Sequence, residues 1–302
     1  MDNKIYDIYG MTLKTSIELV GASITSICRE SSCSLLIDDE IKSFHDDEDF
    51  PCENPYVFVN GDEIIVSWQK NLTYKISANK RVVRVYKEDY VPTIDFTFSL
   101  NYILSVLCLY DGMLPIHGAC LQDKQGKVHV FIGGSSVGKS TLTARLLYKG
   151  WRFIAEEMTA LKVENDKIFA YGGGKYIRLS DESIELMDSC VDGFVLRKKG
   201  IGKEAVWDSK WLVSEAQPRV TNIIYLCKGN ELGIQYVKYQ EALPLMTNNI
   251  YAPAILGRFS RVMLMRSVSK VCAGLNCLKY SFEDYPSADY LDSYFEKQGR
   301  LD

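Results

Sequence analysis

The chain has no run of about eighteen apolar residues, which excludes an ordinary membrane-spanning helix. Its opening segment, Met1 to Asp7, has no apolar signal-peptide core. The nine cysteines are scattered with no C-x-x-C pair, a pattern of reduced thiols packed as small hydrophobes in a cytosolic protein. Neither sign of charge is in excess. With 35 basic and 39 acidic side chains the net charge is −4, so no strong field favours nucleic acid or an anionic membrane as the main partner. There is no low-complexity tract and no internal repeat. A guanine-reading N-K-x-D motif is missing, because Asn79-Lys80-Arg81-Val82 lacks the carboxylate, and no phosphate loop reads G-x-G-x-x-G, which disfavours a dinucleotide oxidoreductase. A soluble, cytoplasmic protein acting on a small or proteinaceous substrate is expected, and a homo-oligomer is compatible with it.

What the chain does have is 302 residues, 47% hydrophobic and 25% charged, enough for a sizeable core. Segments 6–13, 33–37, 56–60, 63–68, 72–76 and 82–86 read as short strands, several alternating apolar and polar. Asn60-Gly61-Asp62 reads as a hairpin turn. The acidic stretch 38–49, with His45 inside it, reads as a solvated loop. From Phe96 to Tyr110 the pattern becomes an apolar helix, with Phe98, Tyr102, Val106 and Leu109 on one side, closed by Asp111-Gly112. The expected division is a β-rich domain over 1–95 and an α/β domain over 96–302, joined by that helix.

The second part opens with a strand over 114–121 and a turn over 123–126. Then comes Val128-His129-Val130-Phe131-Ile132, running straight into Gly133-Gly134-Ser135-Ser136-Val137-Gly138-Lys139-Ser140-Thr141. This is a G-x-x-x-x-G-K-S phosphate loop between an apolar strand and a helix. Its glycines let backbone N–H groups approach a polyphosphate, Lys139 supplies an ammonium to the β- and γ-phosphates, and Ser140 offers a hydroxyl to Mg²⁺. Leu142, Leu146 and Leu147 give the helix its apolar face, and Gly150 is its stop. Strands over 152–155, 160–163, 167–171 and 221–226 follow, with helices over 183–187, 240–251 and 256–271. Gly172-Gly173-Gly174 reads as a flexible turn.

Glu156 and Glu157 end the strand that follows the loop, at the edge of an open α/β sheet where ligands bind. Alternating across the strand, one reaches a metal or its waters while the other faces an attacking hydroxyl. His117 gains a role where its strand neighbours the acids, as a proton shuttle or an orienting group. His129 reads as packed or solvent-facing. Lys175, Arg178 and Lys203 are candidate cations beside a transferring phosphate.

His117-Gly118, the phosphate loop and the acid pair, with Glu156 following Lys139 at their spacing, resemble the catalytic core of the HPr kinase/phosphorylase family. The remainder is similar to a branch of HPr kinase-like proteins found with peptide-modification genes, including kinases of lasso-peptide precursors. The similarity runs through Tyr9-Gly10-Met11-Thr12-Leu13, Gly112 to Leu121, Pro218 to Leu226 and Glu241 to Asn249. The resemblance implies an α/β fold in which a mixed sheet with flanking helices follows a small β-rich domain. It also implies ATP- and Mg²⁺-dependent phosphorylation of a serine hydroxyl on a peptide or small protein. By position, Glu156 is the base aided by His117, and Glu157 holds the metal with Ser140. The family pattern has Asp-Asp where this chain has Glu-Glu. The extra methylene moves each carboxylate by roughly an ångström, enough to cost about a hundredfold unless the site is re-spaced. The glycine-rich signature for engaging HPr has no match, which disfavours HPr itself. A kinase of free serine and a nucleotide-binding regulatory module that has lost catalysis remain as alternatives.

Overall fold

The computed structural model describes residues 4–19, 22–26, 32–37, 56–60, 63–67, 72–77, 81–87, 94–185, 196–200, 203–207, 217–252 and 261–299. The architecture is mixed α/β with a β-rich N-terminal region. The first eight strands are β1 (Lys4–Ile8), β2 (Met11–Thr15), β3 (Ser23–Ile24), β4 (Ser32–Ile37), β5 (Tyr56–Asn60), β6 (Glu63–Ser67), β7 (Leu72–Ser77) and β8 (Val82–Lys87). They form one sheet in the order β3-β1-β2-β4-β8-β7-β6-β5. Segment 6–13 is two strands rather than one, because Tyr9 (φ 50°) and Gly10 (φ 72°) both take positive φ and turn the chain back on itself. Two such residues make the tight turn whose twist suits a hairpin. His45 and the rest of 38–49 lie outside the described residues.

Period-two burial explains how this sheet is covered. Ile64 and Val66, Tyr74 and Ile76, and Val83 and Val85 all point into one core, where they meet Leu100, Ile103, Leu104 and Leu107 of α1 (Ile94–Tyr110). Met158, Ala160 and Tyr171 from the second half of the chain enter the same core. Helix α1 is thus buried almost all round over its described side chains, as a helix held between two layers should be.

The second sheet is built from β9 (Leu114–Gln122), β10 (Val128–Gly133), β11 (Arg152–Ala155), β12 (Met158–Glu164), β13 (Lys167–Tyr171), β17 (Val220–Lys228), β18 (Gly233–Tyr236) and β19 (Asn276–Phe282). Its order is β13-β12-β9-β10-β17-β19-β18, with β11 also pairing β9. Strands β10, β17 and β19 run parallel, while β9 is antiparallel to β10, β11 and β12. On one face lie α2 (Lys139–Tyr148) and α6 (Ala288–Gln298), burying Leu142, Leu146, Leu291 and Phe295. On the other lie α4 (Tyr239–Thr247) and α5 (Arg261–Gly274), burying Ala242, Met246, Val268 and Val271. Strands β14 (Ile177–Leu179), β15 (Leu196–Gly200) and β16 (Lys203–Trp207) make a small third sheet, and α3 (Asp181–Glu185) follows β14.

Several boundaries differ from expectation. The helix placed over 240–251 ends at Thr247, the one placed over 183–187 is described only as α3, and the one placed over 256–271 is described from Arg261 and runs to Gly274. Gly172-Gly173-Gly174 is a close crossing rather than a flexible turn. A Cβ at the three positions would meet the Ile154 carbonyl, the Tyr9 phenol and the Tyr176 ring respectively. The six described cysteines are free thiols. Among the described residues, no helix is long and apolar enough to cross a membrane.

Candidate active site

Strand β10 is buried along its whole length and delivers the chain into the phosphate loop at Gly133. A Cβ on Gly133 would sit 2.7 Å from the Leu226 carbonyl, so neighbouring β17 itself requires glycine there. Gly138 takes φ 96° and is the residue before α2, whose first turn has no side-chain cap. The N–H groups of a helix's first turn and the positive end of its dipole suit an anion. Helix α2 ends where expected: Gly150 (φ 95°) donates to the Leu147 carbonyl and Trp151 to that of Leu146, a Schellman stop. Lys139 Nζ donates to the carbonyls of Gly133 (2.8 Å) and Gly134 (3.1 Å), so the ammonium arches back over the loop.

The acid pair does not continue a strand. Strands β11 and β12 lie on the same edge of β9, β11 beside residues 120–122 and β12 beside 114–117, and Glu156-Glu157 is the kink between them. The Met158 N–H donates to the Glu156 carbonyl at 2.8 Å across Glu157, whose φ is 67°. This is a γ-turn with a positive φ at its centre, a strained form seldom adopted by residues other than glycine. The kink separates the two side chains. Ser140 Oγ donates to Glu156 Oε1 at 2.5 Å, a contact between a half-buried serine and a buried glutamate. Glu157 Oε1 lies 3.5 Å from His117 Nε2. Glu156 thus stands with Ser140 and Glu157 with His117, the opposite of the pairing that the resemblance implies.

His117 is itself fixed from behind. Its N–H donates to the Asn249 carbonyl at 2.7 Å, while Asn249 Oδ1 accepts from the Gly133 N–H at 3.0 Å. One residue after α4 thus ties the start of the phosphate loop to the histidine strand. The Tyr251 ring stands edge-on to His117 at 6.1 Å and to Tyr102 of α1 at 5.9 Å. Burial pushes the Tyr251 phenol well above its ordinary pKa, with Glu157 adding to the rise.

A cavity of about 370 Å³ joins the phosphate loop to the His117–Glu157 pair. Its walls are His117, Glu157, Ser135, Ser136, Gly138, Lys139, Ser140 and Thr141, together with Arg178, Ser180, Glu182, Ser183, Lys228 and Tyr285. Of the three candidate cations, Arg178 lines it from β14. Lys175 is instead half-buried near Asp7, and burial lowers the pKa of its ammonium. Lys203 begins β16, and its side chain lies outside the described residues. Thr141 Oγ1 and Ser183 Oγ lie 2.8 Å apart, joining the loop to α3.

Sequence reasoning missed Asn249, Lys228 and Tyr285. Lys228 carried a usable signal, since it ends a parallel strand and so reaches the ligand edge of the sheet. Asn249 and Tyr285 follow regular elements with no local pattern to mark them. His129 is fully buried: its Nε2 lies 2.9 Å from Asp123 Oδ2 and its Nδ1 lies 3.0 Å from Asn222 Nδ2.

No protein-family model matches the chain, and no curated protein matches its sequence. Among solved structures, the Hpr(Ser) kinase/phosphatase from Coxiella burnetii is similar to it at 15% identity and a TM-score of 0.37, covering 62% of this chain and 96% of that one.

Proposed function

We propose that this chain is a kinase that moves the γ-phosphoryl group of ATP onto a serine hydroxyl, with a small ribosomally made precursor peptide as acceptor. The observation that carries the reading is the convergence on one cavity of a phosphate loop, whose Ser140 is bonded to the buried Glu156 carboxylate behind it, and of a second carboxylate beside a histidine. The acceptor class comes from the sequence resemblance to precursor-peptide kinases.

The donor set fits Mg²⁺. Ser140 Oγ and Glu156 Oε1 are hard oxygen donors already in contact, and Mg²⁺ needs only one or two such ligands because it keeps waters and binds phosphate oxygens. When bound, the ion neutralises charge on the phosphates. Among the described residues, no cluster of three or more His, Cys, Asp and Glu side chains suggests another metal.

The remaining work falls to the chain. The loop N–H groups and Lys139 hold the triphosphate, Lys139 exchanging its carbonyl partners for phosphate oxygens. Glu157 accepts the proton of the acceptor hydroxyl while His117 fixes its orientation. The serine oxygen bonds to the γ-phosphorus as the bond to the β–γ bridging oxygen breaks, and ADP leaves. Arg178 adds positive charge where it develops. Glu157 and His117 keep 19% and 28% of their side-chain surface exposed, so a peptide side chain can reach them. The kink, which brings Glu156 onto Ser140, supports a site re-spaced for the longer side chain at that position.

The test is transfer of labelled phosphate from ATP to peptides encoded beside the gene, compared with free serine. The expected result is multiple turnover on a peptide, lost in Lys139→Ala. Transfer to free serine alone would move the acceptor to a small molecule, and ATP binding without transfer to either would sink the kinase reading.

A further inference from the structure

Strand order gives the cavity two ends. Strands β9 and β12, with His117 and the acid kink, lie on one side of β10, and β17 and β19 lie on the other. Because β10, β17 and β19 are parallel, Lys228 at the end of β17 and Tyr285 just beyond β19 come to the same edge as the phosphate loop. In-line transfer places the acceptor and the leaving nucleotide on opposite sides of the transferring phosphorus. With the acids and His117 at the acceptor end, the nucleoside must extend toward Lys228 and Tyr285.

Tyr285 is built as a rigid exposed surface. The residue is 53% exposed in the cavity wall, and its hydroxyl donates to Glu182 Oε1 at 3.3 Å. The next residue, Pro286, is buried against the loop, where a Cβ on Gly138 would lie 3.0 Å from Pro286 Cδ. Ser287 N–H donates to Tyr280 Oη at 3.0 Å, and Ser287 Oγ accepts from Tyr290 N–H at 3.2 Å to cap α6. Lys228 Nζ lies 5.7 Å from the Tyr285 ring centroid. An aromatic ring held beside a phosphate loop, with a cation next to it, suits a base followed by its phosphates.

Resting on the kinase reading, we infer that Tyr285 is the platform on which the base of the bound triphosphate stacks, with Lys228 directing charge to the phosphates beside it. Calorimetric titration of the whole protein with ATP and, separately, with inorganic triphosphate tests this, because the second probe has phosphates but no base. Tyr285→Ala should weaken ATP about tenfold and leave inorganic triphosphate unchanged. Tyr285→Phe, which keeps the ring and loses only the Glu182 bond, should stay within about twofold of the parent. Equal weakening of both probes by Tyr285→Ala, or weakening of neither, would overturn the inference. Failure of the kinase reading looks different: ATP then binds in a Tyr285-dependent way and no phosphate reaches any acceptor.

Discussion

His117 and His129 lie on neighbouring antiparallel strands, each beside a carboxylate, and their surroundings separate them. The His129 and Asp123 side chains are 0% and 1% exposed, and their contact is 2.9 Å. Burial lowers the His129 pKa and outweighs the opposing pull of Asp123. Its partners fit the neutral ring: Nε2–H donates to Asp123, and Nδ1 accepts from Asn222, a tautomer assigned from those partners. Phe295 and Trp151 close over it at 4.1 Å and 5.2 Å. With both nitrogens engaged and its surface fully buried, this imidazole is a structural polar core. The His117–Glu157 contact is looser, 3.5 Å, with both side chains partly exposed and facing a cavity. Histidine beside a carboxylate is therefore no signature of function; what distinguishes the two pairs is access and room for a proton to move.

The largest expected effect breaks the cavity pair alone. Glu157→Gln keeps size and hydrogen bonding but cannot accept a proton, so phosphoryl transfer should fall about a thousandfold. Thermal unfolding should stay unchanged, because the carboxylate is partly exposed and its contact is long. A comparable loss of melting temperature in that variant would mean that the pair is structural after all, and the contrast would collapse.

The buried pair should respond in the opposite way. Asp123 accepts from His129 and from the N–H groups of Gln125 (2.9 Å) and Lys127 (2.8 Å), so it closes the β9–β10 turn as well as holding the ring. Asp123→Ala leaves these donors without their acceptor and should cost about 3 kcal/mol in urea unfolding. Phosphoryl transfer per folded molecule, measured well below the transition, should match the parent. A selective loss of transfer at unchanged stability would assign His129 a part in the chemistry.

The same contrast explains what could be read from sequence. The phosphate loop was legible because its chemistry is local: nine consecutive residues, Gly133 to Thr141, supply the strand exit, the turn and the helix start. Most strands of the N-terminal sheet were legible from their alternation; the two-residue β3 is too short to show one, and Tyr9-Gly10 turns without the usual Asn-Gly or Asp-Gly pair. The pairing of acids with partners was not legible, since adjacent residues on a strand alternate by default and only the β9 edge reveals a γ-turn at Glu157. Gly172 to Gly174 misled for a related reason. Three glycines signal either freedom or close approach, and the choice depends on Ile154, Tyr9 and Tyr176, which are distant or unmarked in sequence. Likewise nothing near His129 announced Asn222, a strand away, as the partner of its Nδ1.

The smallest expected effect is the pH dependence that the buried pair should confer. His129 has a folded-state pKa below that of an exposed histidine, chiefly through desolvation and, to a lesser degree, through repulsion from Lys127. The unfolded chain then binds the proton more readily than the folded one. Above the unfolded value of about 6.5 both states are neutral and the full stability is present; as pH falls below it, the unfolded state is protonated first and stability drops toward the lower folded pKa. Urea unfolding between about pH 8 and pH 5 should show this decline, and His129→Gln, which cannot titrate, should flatten it while lowering stability at every pH. A decline of the same slope in His129→Gln would place its origin in other groups and remove the electrostatic half of the contrast, leaving burial alone to separate the two histidines.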